Sequence, residues 1–445
     1  MELLYVTSSG TLHPPNSDIA VTDGVITHVG RGLVALAGPG TRIIDAEGAH
    51  VTPGSVDTHM HLSQGASKNL LDGFDTGTRS AVCGGTTTVV CFAAQERWDE
   101  DVLKVRFHLI LTNPTPAFLD EQLPILRNNG GMSSVKLYMT YDNRQLSDAQ
   151  IMAVLARTRQ LGMTTMIHAE NWDMIKFIIK QLEERDQTDP YFHAVSRPPL
   201  VETEAAYRAI CIAELMDTPI LLVHVSTKAS RDHVRAAHTR MLPIHAETCP
   251  QYLYLMSDVL KMPDFEGAKY VCSPPGIANA TFTTLSSDHF PSCWDPPQGK
   301  KLGLDATTKI AKFSAIPNGL PGVETRLPLG YQGVTDGKIS VEKLVEGVIA
   351  PGYDADIVIW YPKGKALVTV ENGKLHHKID YTPYEGCQLN NWPRYRILRG
   401  KVVWARDGGG LLGDQGYGKF VKRIGNQMRQ QRGVFVNEWR PFVEK

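Results

Sequence analysis

Two histidines separated by one residue follow a short apolar run near the N-terminus. His59 and His61 belong to the segment Asp57-Thr58-His59-Met60-His61, directly after residues 51–56. Side chains of an extended strand alternate between its two faces, so residues two apart point the same way and both imidazoles can bind one metal ion. The spacing predicts a strand that ends in a metal site, which is typical of an enzyme.

Further residues with metal-binding side chains lie at the ends of other apolar segments: His168, His224 and Asp288, together with Lys136 inside an apolar run. Each has an ordinary alternative. A single histidine often bonds to backbone carbonyls, Asp288 could cap a helix, and Lys136 could keep its ammonium at the surface. Their recurrence at successive strand ends favours one common centre. A buried lysine there would have to be paired or chemically changed.

The elements that must position these residues alternate between strands and helices. One strand ends at His61, and seven more are predicted at 86–92, 107–111, 134–139, 164–168, 220–224, 244–248 and just before Asp288. Helices are predicted at 148–161, begun by an Asp148 cap, and at 203–216. Eight strands interleaved with helices predict an α/β fold, a (β/α)8 TIM-like barrel over 53–345 with its chemistry at the carboxyl ends of the strands.

Both ends of the chain have a β pattern instead. Near the N-terminus, Asp23-Gly24 separates two alternating apolar segments, which is a strong hairpin signal. Near the C-terminus, strands are predicted at 355–360, 366–370 and 397–405. We expect residues 1–52 and 346–405 to form one small β-sandwich domain, and residues 406–445 to form a C-terminal arm that could contact another subunit.

Composition excludes several classes of function. The 445 residues contain 46 Lys+Arg and 47 Asp+Glu, for a net charge of -1. Such a chain has no field to attract a polyanion or an anionic membrane, so neither nucleic acid nor membrane is an expected partner. The seven cysteines are odd in number and never spaced Cys-x-x-Cys, which argues against disulfides and thiolate zinc sites. These features predict a cytoplasmic protein.

The order of the chemical residues resembles the amidohydrolase superfamily, and within it the cyclic amidase family of dihydropyrimidinase and D-hydantoinase. The resemblance extends over nearly the whole chain, from about residue 3 to residue 420. Its motifs are Asp57-Thr58-His59-Met60-His61, Gly84-Gly85-Thr86-Thr87, Val135-Lys136-Leu137-Tyr138-Met139-Thr140-Tyr141, His168-Ala169-Glu170-Asn171, His224-Val225-Ser226, Glu247-Thr248-Cys249-Pro250-Gln251-Tyr252, Ser273-Pro274-Pro275, Ser287-Asp288-His289 and Ile316-Pro317-Asn318-Gly319.

The resemblance implies a pair of divalent metal ions, with zinc expected and manganese or cobalt also compatible. It implies that Lys136 is carboxylated on its side-chain nitrogen, so that a buried cation becomes an anion held by two cations. The implied ligands are His59, His61 and Asp288 for one ion, His168 and His224 for the other, and carboxylated Lys136 for both.

The resemblance also implies a reaction: hydrolysis of an amide bond in a neutral cyclic diamide, a 5,6-dihydropyrimidine or a 5-substituted hydantoin, to an N-carbamoyl amino acid by metal-activated hydroxide. Such a reaction belongs to pyrimidine catabolism. Asp288 and Tyr141 would be catalytic, and Tyr141, Ser273 and Asn318 would bind the substrate. Ser-Pro-Pro and Pro-Asn-Gly are also common turn sequences, so the last two assignments depend on the resemblance.

The sequence leaves open the substrate, the class of function and the length of three connections. Residues 62–65 lack the arginine with which dihydroorotase-like relatives pair a ring carboxylate, which favours an uncharged ring. The alternatives are a catalytically silent adaptor of the same fold and an allantoinase-type enzyme. A homotetramer is the implied assembly. The connections 93–105, 274–285 and 345–354 are shorter than the resemblance implies, but the ligands should still converge because they lie on strands.

Overall fold

The structure, a computed structural model, describes residues 3–9, 17–63, 72–94, 108–275, 283–295, 299–305, 307–345 and 347–425. Two compact units divide the chain. The first unit comprises residues 1–60, 71–90 and 321–419, and the second comprises residues 61–70, 91–320 and 420–445. The predicted domain boundaries at 52, 345 and 405 stay predictions.

The strands, in chain order, are β1 (Leu3–Ser9), β2 (Ser17–Thr22), β3 (Val25–Gly30), β4 (Arg42–Asp45), β5 (Val51–Pro53), β6 (Ser55–Met60), β7 (Thr86–Ala94), β8 (His108–Ile110), β9 (Ser134–Tyr138), β10 (Thr164–His168), β11 (Ile220–Leu222), β12 (Ile244–Thr248), β13 (Thr284–Leu285), β14 (Ile357–Trp360), β15 (Val368–Thr369), β16 (Gln388–Leu389), β17 (Pro393–Leu398), β18 (Lys401–Ala405) and β19 (Gly410–Leu411).

The α-helices are α1 (Phe74–Gly84), α2 (Leu123–Asn128), α3 (Asp148–Leu161), α4 (Trp172–Glu183), α5 (Phe192–Val195), α6 (Pro199–Leu215), α7 (Lys228–Thr239), α8 (Gln251–Tyr254), α9 (Val323–Thr335) and α10 (Val341–Leu344). One π-helical turn spans Phe118–Gln122. Short 3₁₀ helices span Leu33–Leu36, Ser257–Lys261, Glu266–Tyr270, Lys300–Gly303, Phe313–Ala315 and Asn372–Lys374.

Eight consecutive strands form one parallel sheet in the order β13-β12-β11-β10-β9-β8-β7-β6, a nearly closed barrel. The predicted TIM-like fold class is therefore confirmed, and each of the eight predicted barrel strands corresponds to one of these. Parallel strands are buried on both faces. In the second unit, Leu137, Ile167 and Leu222 join the large core formed with the helices, whereas Tyr138 and Met166 belong to a separate small cluster.

The antiparallel sheets of the first unit combine both ends of the chain. One sheet has the order β3-β2-β1-β4, and another has the order β19-β18-β17-β14-β5. Strand β5 pairs with β14 through Val51 and Ile359, about 300 residues apart in sequence. The predicted turn between β2 and β3 is present, with φ of 50° at Asp23 and 85° at Gly24.

Three local predictions were wrong, each for a physical reason. Helix α3 is capped by Ser147 rather than Asp148, because Ser147 and Gln150 exchange side-chain and backbone hydrogen bonds in a capping box. Helix α6 begins at Pro199, since the first helical position needs no N–H donor. The predicted strand 397–405 is not one strand but the turn of a hairpin with parts of its two strands, because Arg399 and Gly400 adopt positive φ between β17 and β18.

Some predictions concern parts of the chain that the structure describes only in part. Most of the connections 93–105 and 274–285 lie outside the described residues, and so do residues 426–445 of the predicted arm. The described start of the arm includes Arg423, which donates to the Ser134 Oγ of the same unit at 3.0 Å. Across the helices that the structure describes, none combines the length and apolar character needed to cross a bilayer.

Candidate active site

His59 lies at the end of β6, whose backbone is held by a buried ion pair of the first unit. The Asp57 carboxylate accepts the His59 N–H at 3.2 Å and lies 3.5 Å from Arg326 Nε. Arg326 also donates to the hydroxyls of Ser55 and Thr86, at 2.7 and 2.9 Å. His61 follows β6 directly, two residues after His59, and this spacing turns both side chains of an extended chain to the same face.

His61 meets Asp288 within the second unit. His61 Nε2 lies 3.6 Å from Asp288 Oδ1, and the His61 N–H donates to the His289 carbonyl at 2.9 Å. Phe92 stacks on the His61 ring at 4.7 Å between centroids. The Asp288 side chain keeps 13% of its surface exposed, against 4% for His61. An imidazole and a carboxylate so placed can share a divalent cation.

Lys136 lies in the middle of β9 and is 1% exposed. Its Nζ lies 5.4 Å from the ring centroids of both Phe92 and Tyr138. Among the residues that the structure describes, no carboxylate forms an ion pair with it. Burial lowers the pKa of Lys136 to about 8, while the charges of Asp288 and Glu247 act in the opposite direction. The amine is therefore poised to lose its proton near neutral pH.

The other two predicted histidine ligands contact each other. The rings of His168 and His224 lie edge to face with centroids 4.3 Å apart. His168 Nε2 is 2.8 Å from Glu170 Oε2, and the His224 N–H donates to Glu247 Oε1 at 3.3 Å. Strands β10 and β11 are neighbours in the sheet, and the two histidines lie at or just beyond their carboxyl ends. The parallel register therefore brings them together.

A buried polar chain connects His168 to Ser273. Glu170 Oε1 lies 3.7 Å from Arg197 Nε, and Arg197 Nη1 lies 3.2 Å from His193 Nδ1. His193 Nε2 lies 3.3 Å from the Ser273 hydroxyl, which donates to Asn318 Oδ1 at 2.9 Å. Burial raises the pKa of Glu170 to about 7, although Arg197 opposes the shift. Side chains from distant segments thus hold a predicted ligand and two predicted substrate contacts in one network.

Tyr141 lies beside the His168–His224 pair. Its ring centroid is 5.6 Å from that of His168, in an edge-to-face arrangement. Burial, reinforced by the negative charge of Glu170, raises the pKa of Tyr141 to about 12. The phenol therefore keeps its proton at neutral pH and can donate a hydrogen bond.

Three of the predicted site residues have a backbone conformation that is uncommon for residues other than glycine. Tyr141, His224 and Asp288 have φ of 69°, 39° and 45°. Such conformations cost about 1–3 kcal/mol each and concentrate where function requires a particular side-chain direction. Their occurrence at three separate strand ends indicates a functional site.

Sequence reasoning gave no role to several residues that the structure brings to this region. Glu170 stood in a recognised motif two residues after His168, and that spacing was the signal for it. Arg197 and His193 gave no signal, because they reach the site from α5 and the residues after it. Arg144 also gave no signal in the sequence. In the structure its guanidinium carbon lies 5.5 Å from the centroid of the Tyr138 ring.

A second group of potential ligands lies in the first unit. Donor atoms of Cys83, Glu324 and His376 lie within 4.8 Å of one another. Glu324 is already hydrogen-bonded to Ser80 Oγ at 2.9 Å, to the His376 N–H at 2.8 Å and to His376 Nδ1 at 2.9 Å. The nearby positive charge of Arg396 interacts with both Cys83 and Glu324. A metal cation is therefore disfavoured here, and the group stabilises the fold.

Comparison with known proteins agrees with this geometry. No protein-family model matches the chain. A D-hydantoinase from Ralstonia pickettii is 37% identical over 452 aligned positions, which cover 92% of this chain and 95% of that protein. The chain belongs to the hydantoinase family. A second family member, the D-hydantoinase of Geobacillus stearothermophilus, is 34% identical, covering 92% of this chain and 93% of that protein.

Solved structures of the hydantoinase family have the same fold. A D-hydantoinase structure superposes with a TM-score of 0.85 at 34% identity, covering 97% of this chain and 100% of that one. The dihydropyrimidinase of Brevibacillus agri superposes with a TM-score of 0.83 at 30% identity, covering 95% of this chain and 99% of that one. The resemblance inferred from the sequence motifs is confirmed.

Proposed function

We propose that the protein hydrolyses a ring amide of a neutral cyclic diamide, a 5-substituted hydantoin or a 5,6-dihydropyrimidine, to an N-carbamoyl amino acid. The observations that support this most directly are the buried Lys136 on β9, whose pKa responds to the negative charge of Asp288, and the His61–Asp288 pair at one strand end. Membership of the hydantoinase family adds the reaction class.

The donor set fits two divalent metal ions. Imidazole nitrogens and carboxylate oxygens are the ligands that zinc prefers in catalytic sites, and His61 with Asp288 and His168 with His224 supply two such groups. We propose that His59, near the end of β6 and two residues before His61, completes the first group. Carboxylated Lys136 would serve both ions.

Carboxylation of Lys136 is chemically consistent with its surroundings. The neutral amine attacks carbon dioxide, a carbon–nitrogen bond forms, and the nitrogen releases one proton to leave a carbamate anion. Because burial lowers the pKa of Lys136 to about 8, a substantial fraction of the amine is neutral near pH 7.5. Anionic Lys136 beside two cations removes the cost of burying an isolated ammonium.

When bound, the two metal ions would lower the pKa of a water molecule and polarise the substrate carbonyl. In this chain Asp288 accepts the proton of the attacking water and returns it to the ring nitrogen as the amide bond breaks. Its partly exposed carboxylate is compatible with contact to both water and substrate. Asp288 thus acts as general base and then as general acid.

Tyr141, Ser273 and Asn318 would hold the substrate during this step. The protonated Tyr141 hydroxyl donates to the oxygen of the attacked carbonyl, where negative charge develops. Ser273 and Asn318 are linked at 2.9 Å and lie where the buried chain from His168 ends. They would bind the amide groups of the ring, so that ligand and substrate contacts keep a fixed relative position.

The alternatives differ in what they require of these residues. A silent adaptor needs no metal, whereas the relatives reported above are named hydantoinase and dihydropyrimidinase. An allantoinase would act on a ring that carries a ureido group, and nothing in the described site favours that substituent. Zinc as the metal, a homotetrameric assembly and a cytoplasmic location complete the proposal.

One experiment tests it. The protein is purified from cells grown with zinc, its metal content is measured, and hydrolysis of hydantoin, 5-phenylhydantoin and dihydrouracil is followed. We expect about two metal ions per chain and turnover of at least one ring. A metal-free protein without turnover after reconstitution with zinc and bicarbonate would favour the adaptor and contradict the enzyme.

A further inference from the structure

Arg144 is held in a rigid turn next to the catalytic residues. The backbone N–H of Arg144 donates to the Tyr141 carbonyl at 3.0 Å. Two further backbone hydrogen bonds close the turn: the Gln145 N–H donates to the Tyr141 carbonyl at 2.8 Å, and the Leu146 N–H donates to the Tyr138 carbonyl at 2.9 Å. The Arg144 side chain is half-buried. Its guanidinium carbon lies 5.5 Å from the centroid of the Tyr138 ring. The turn therefore presents a cation beside the ring that adjoins Lys136.

Arg144 has no carboxylate partner among the residues that the structure describes. The acidic residue nearest to it in sequence, Asp142, instead accepts from Trp172 Nε1 at 2.8 Å and Lys176 Nζ at 3.1 Å. The Arg144 guanidinium lies close to the candidate active site, because it packs on the same Tyr138 ring as Lys136, at 5.5 Å against 5.4 Å from the ring centroid. Arg144 is hydrogen-bonded to the Tyr138 side chain, and since a guanidinium has five N–H donors, it keeps donors with which to bind an anion.

The acidic groups of the candidate active site have other partners. Glu170 contacts Arg197 and His168, Asp288 contacts His61, and Glu247 receives the N–H of His224. Because these carboxylates have other partners, none of them pairs with Arg144. Arg144 therefore favours a substrate with an additional negative charge on the side of Tyr138.

We propose that Arg144 is a specificity-determining residue that binds a carboxylate on the substituent of the ring, so that the preferred substrates are hydantoins with an acidic side chain at position 5. This inference rests on the proposed function and names its substrate class. The ring itself remains a neutral diamide, as the absence of arginine in residues 62–65 indicates. The planar guanidinium can donate to both oxygens of such a carboxylate in a pair of parallel hydrogen bonds.

Two substrates of equal size separate charge from shape. 5-(2-Carboxyethyl)hydantoin has a carboxylate on its side chain, and 5-(2-carbamoylethyl)hydantoin has an uncharged amide in the same place. We expect the protein to prefer the acid by about tenfold to a hundredfold in kcat/KM, since a hydrogen-bonded charge pair contributes on that scale. The Arg144→Gln variant should lose this preference through a higher KM for the acid, with less than a twofold change for the amide.

Two further variants serve as controls. Lys176→Gln removes another cation close to the same turn, but Lys176 already pairs with Asp142 and Asp173, so the ratio of the two substrates should stay unchanged. Arg144→Lys keeps the charge without the paired hydrogen bonds and should restore part of the preference. Equal loss of activity on both substrates in Arg144→Gln would show that Arg144 only supports the turn, and would overturn the inference.

A binding measurement separates this inference from the proposed function. Calorimetry with N-carbamoylglutamate and N-carbamoylglutamine needs no turnover. We expect N-carbamoylglutamate to bind the unsubstituted protein more tightly than N-carbamoylglutamine does. This difference in affinity should disappear in the Arg144→Gln variant. If neither hydantoin is hydrolysed but this difference is present, the proposed function fails and the role of Arg144 stands. If both hydantoins are hydrolysed at equal rates and the two N-carbamoyl amino acids bind with equal affinity, the role of Arg144 is refuted.

Discussion

Two buried clusters of polar side chains, one in each unit, have different roles. The first consists of Cys83, Glu324 and His376, and the second consists of Lys136 with the other proposed metal ligands of the second unit. In the first unit, Glu324 is 3% exposed and hydrogen-bonded to Ser80 and to two groups of His376. In the second unit, Lys136 is 1% exposed and lies among aromatic rings, with no ion-pair partner among the described residues. The charge of Glu324 is compensated by hydrogen bonds, whereas Lys136 has no carboxylate partner in the described part of the chain.

The difference separates structure from function. Buried polar groups that hydrogen-bond to one another stabilise a fold, and a cation added to them would compete with bonds that already exist. Buried charges that lack such bonds cost free energy unless a metal, a modification or a substrate compensates them. The types of residue present do not distinguish the two clusters. Their hydrogen bonds do.

The largest expected effect comes from Lys136→Ala. Losing the proposed bridging ligand should remove one or both metal ions and decrease kcat/KM by roughly a thousandfold, since metal ions contribute several kcal/mol to such transition states. Metal analysis and hydantoin hydrolysis measure both effects, and circular dichroism verifies folding. Unchanged activity and metal content would contradict the carbamate bridge.

Tyr141→Phe should have the next largest effect. It removes one donor to the developing oxyanion without changing the ring that packs on His168, so we expect kcat to decrease about a hundredfold while KM changes little. Steady-state kinetics on hydantoin measure this. A decrease confined to KM would assign Tyr141 to ground-state binding instead.

Glu170→Gln should affect metal binding more than folding. Glu170 orients the proposed ligand His168 at 2.8 Å, and loss of such a carboxylate typically weakens metal affinity by about 10- to 100-fold. Competition with a chelator measures the affinity. Glu324→Gln is the matched control, a buried carboxylate that also contacts a histidine. Equal loss of metal in both variants would remove the distinction between the clusters.

The smallest effect on activity, and a clear effect on stability, is expected for Glu324→Gln. The hydrogen bonds of Glu324 raise the pKa of His376 above its ordinary value. Protonated His376 therefore contributes stability that is complete below the unfolded pKa of about 6.5 and is lost as pH rises through the higher folded pKa. In denaturant titrations, the difference in free energy of unfolding between the unsubstituted protein and the Glu324→Gln variant should decrease from pH 6 to pH 8. A constant difference would indicate that His376 does not titrate with folding.

Much of the fold followed from local sequence patterns. The alternating apolar residues around Asp23-Gly24 predicted the first hairpin, and the apolar runs before His61 and around Lys136 predicted strands β6 and β9. These predictions depend on side-chain periodicity and backbone preference, which act between near neighbours. The motifs predicted the family for the same reason, because the spacing of ligands on a strand is a local property.

The sequence by itself determined which residues have side chains for the chemistry and which segments support them. Only the tertiary structure decided that Glu170, Arg197, His193 and Ser273 form one buried chain. It also decided that Glu324 satisfies His376, and that Arg144 lies over Tyr138 without a carboxylate beside it in the described part of the chain. The physical reason is that burial and pairing arise between residues brought together by packing, so a charge becomes compensated or uncompensated only when the chain has folded.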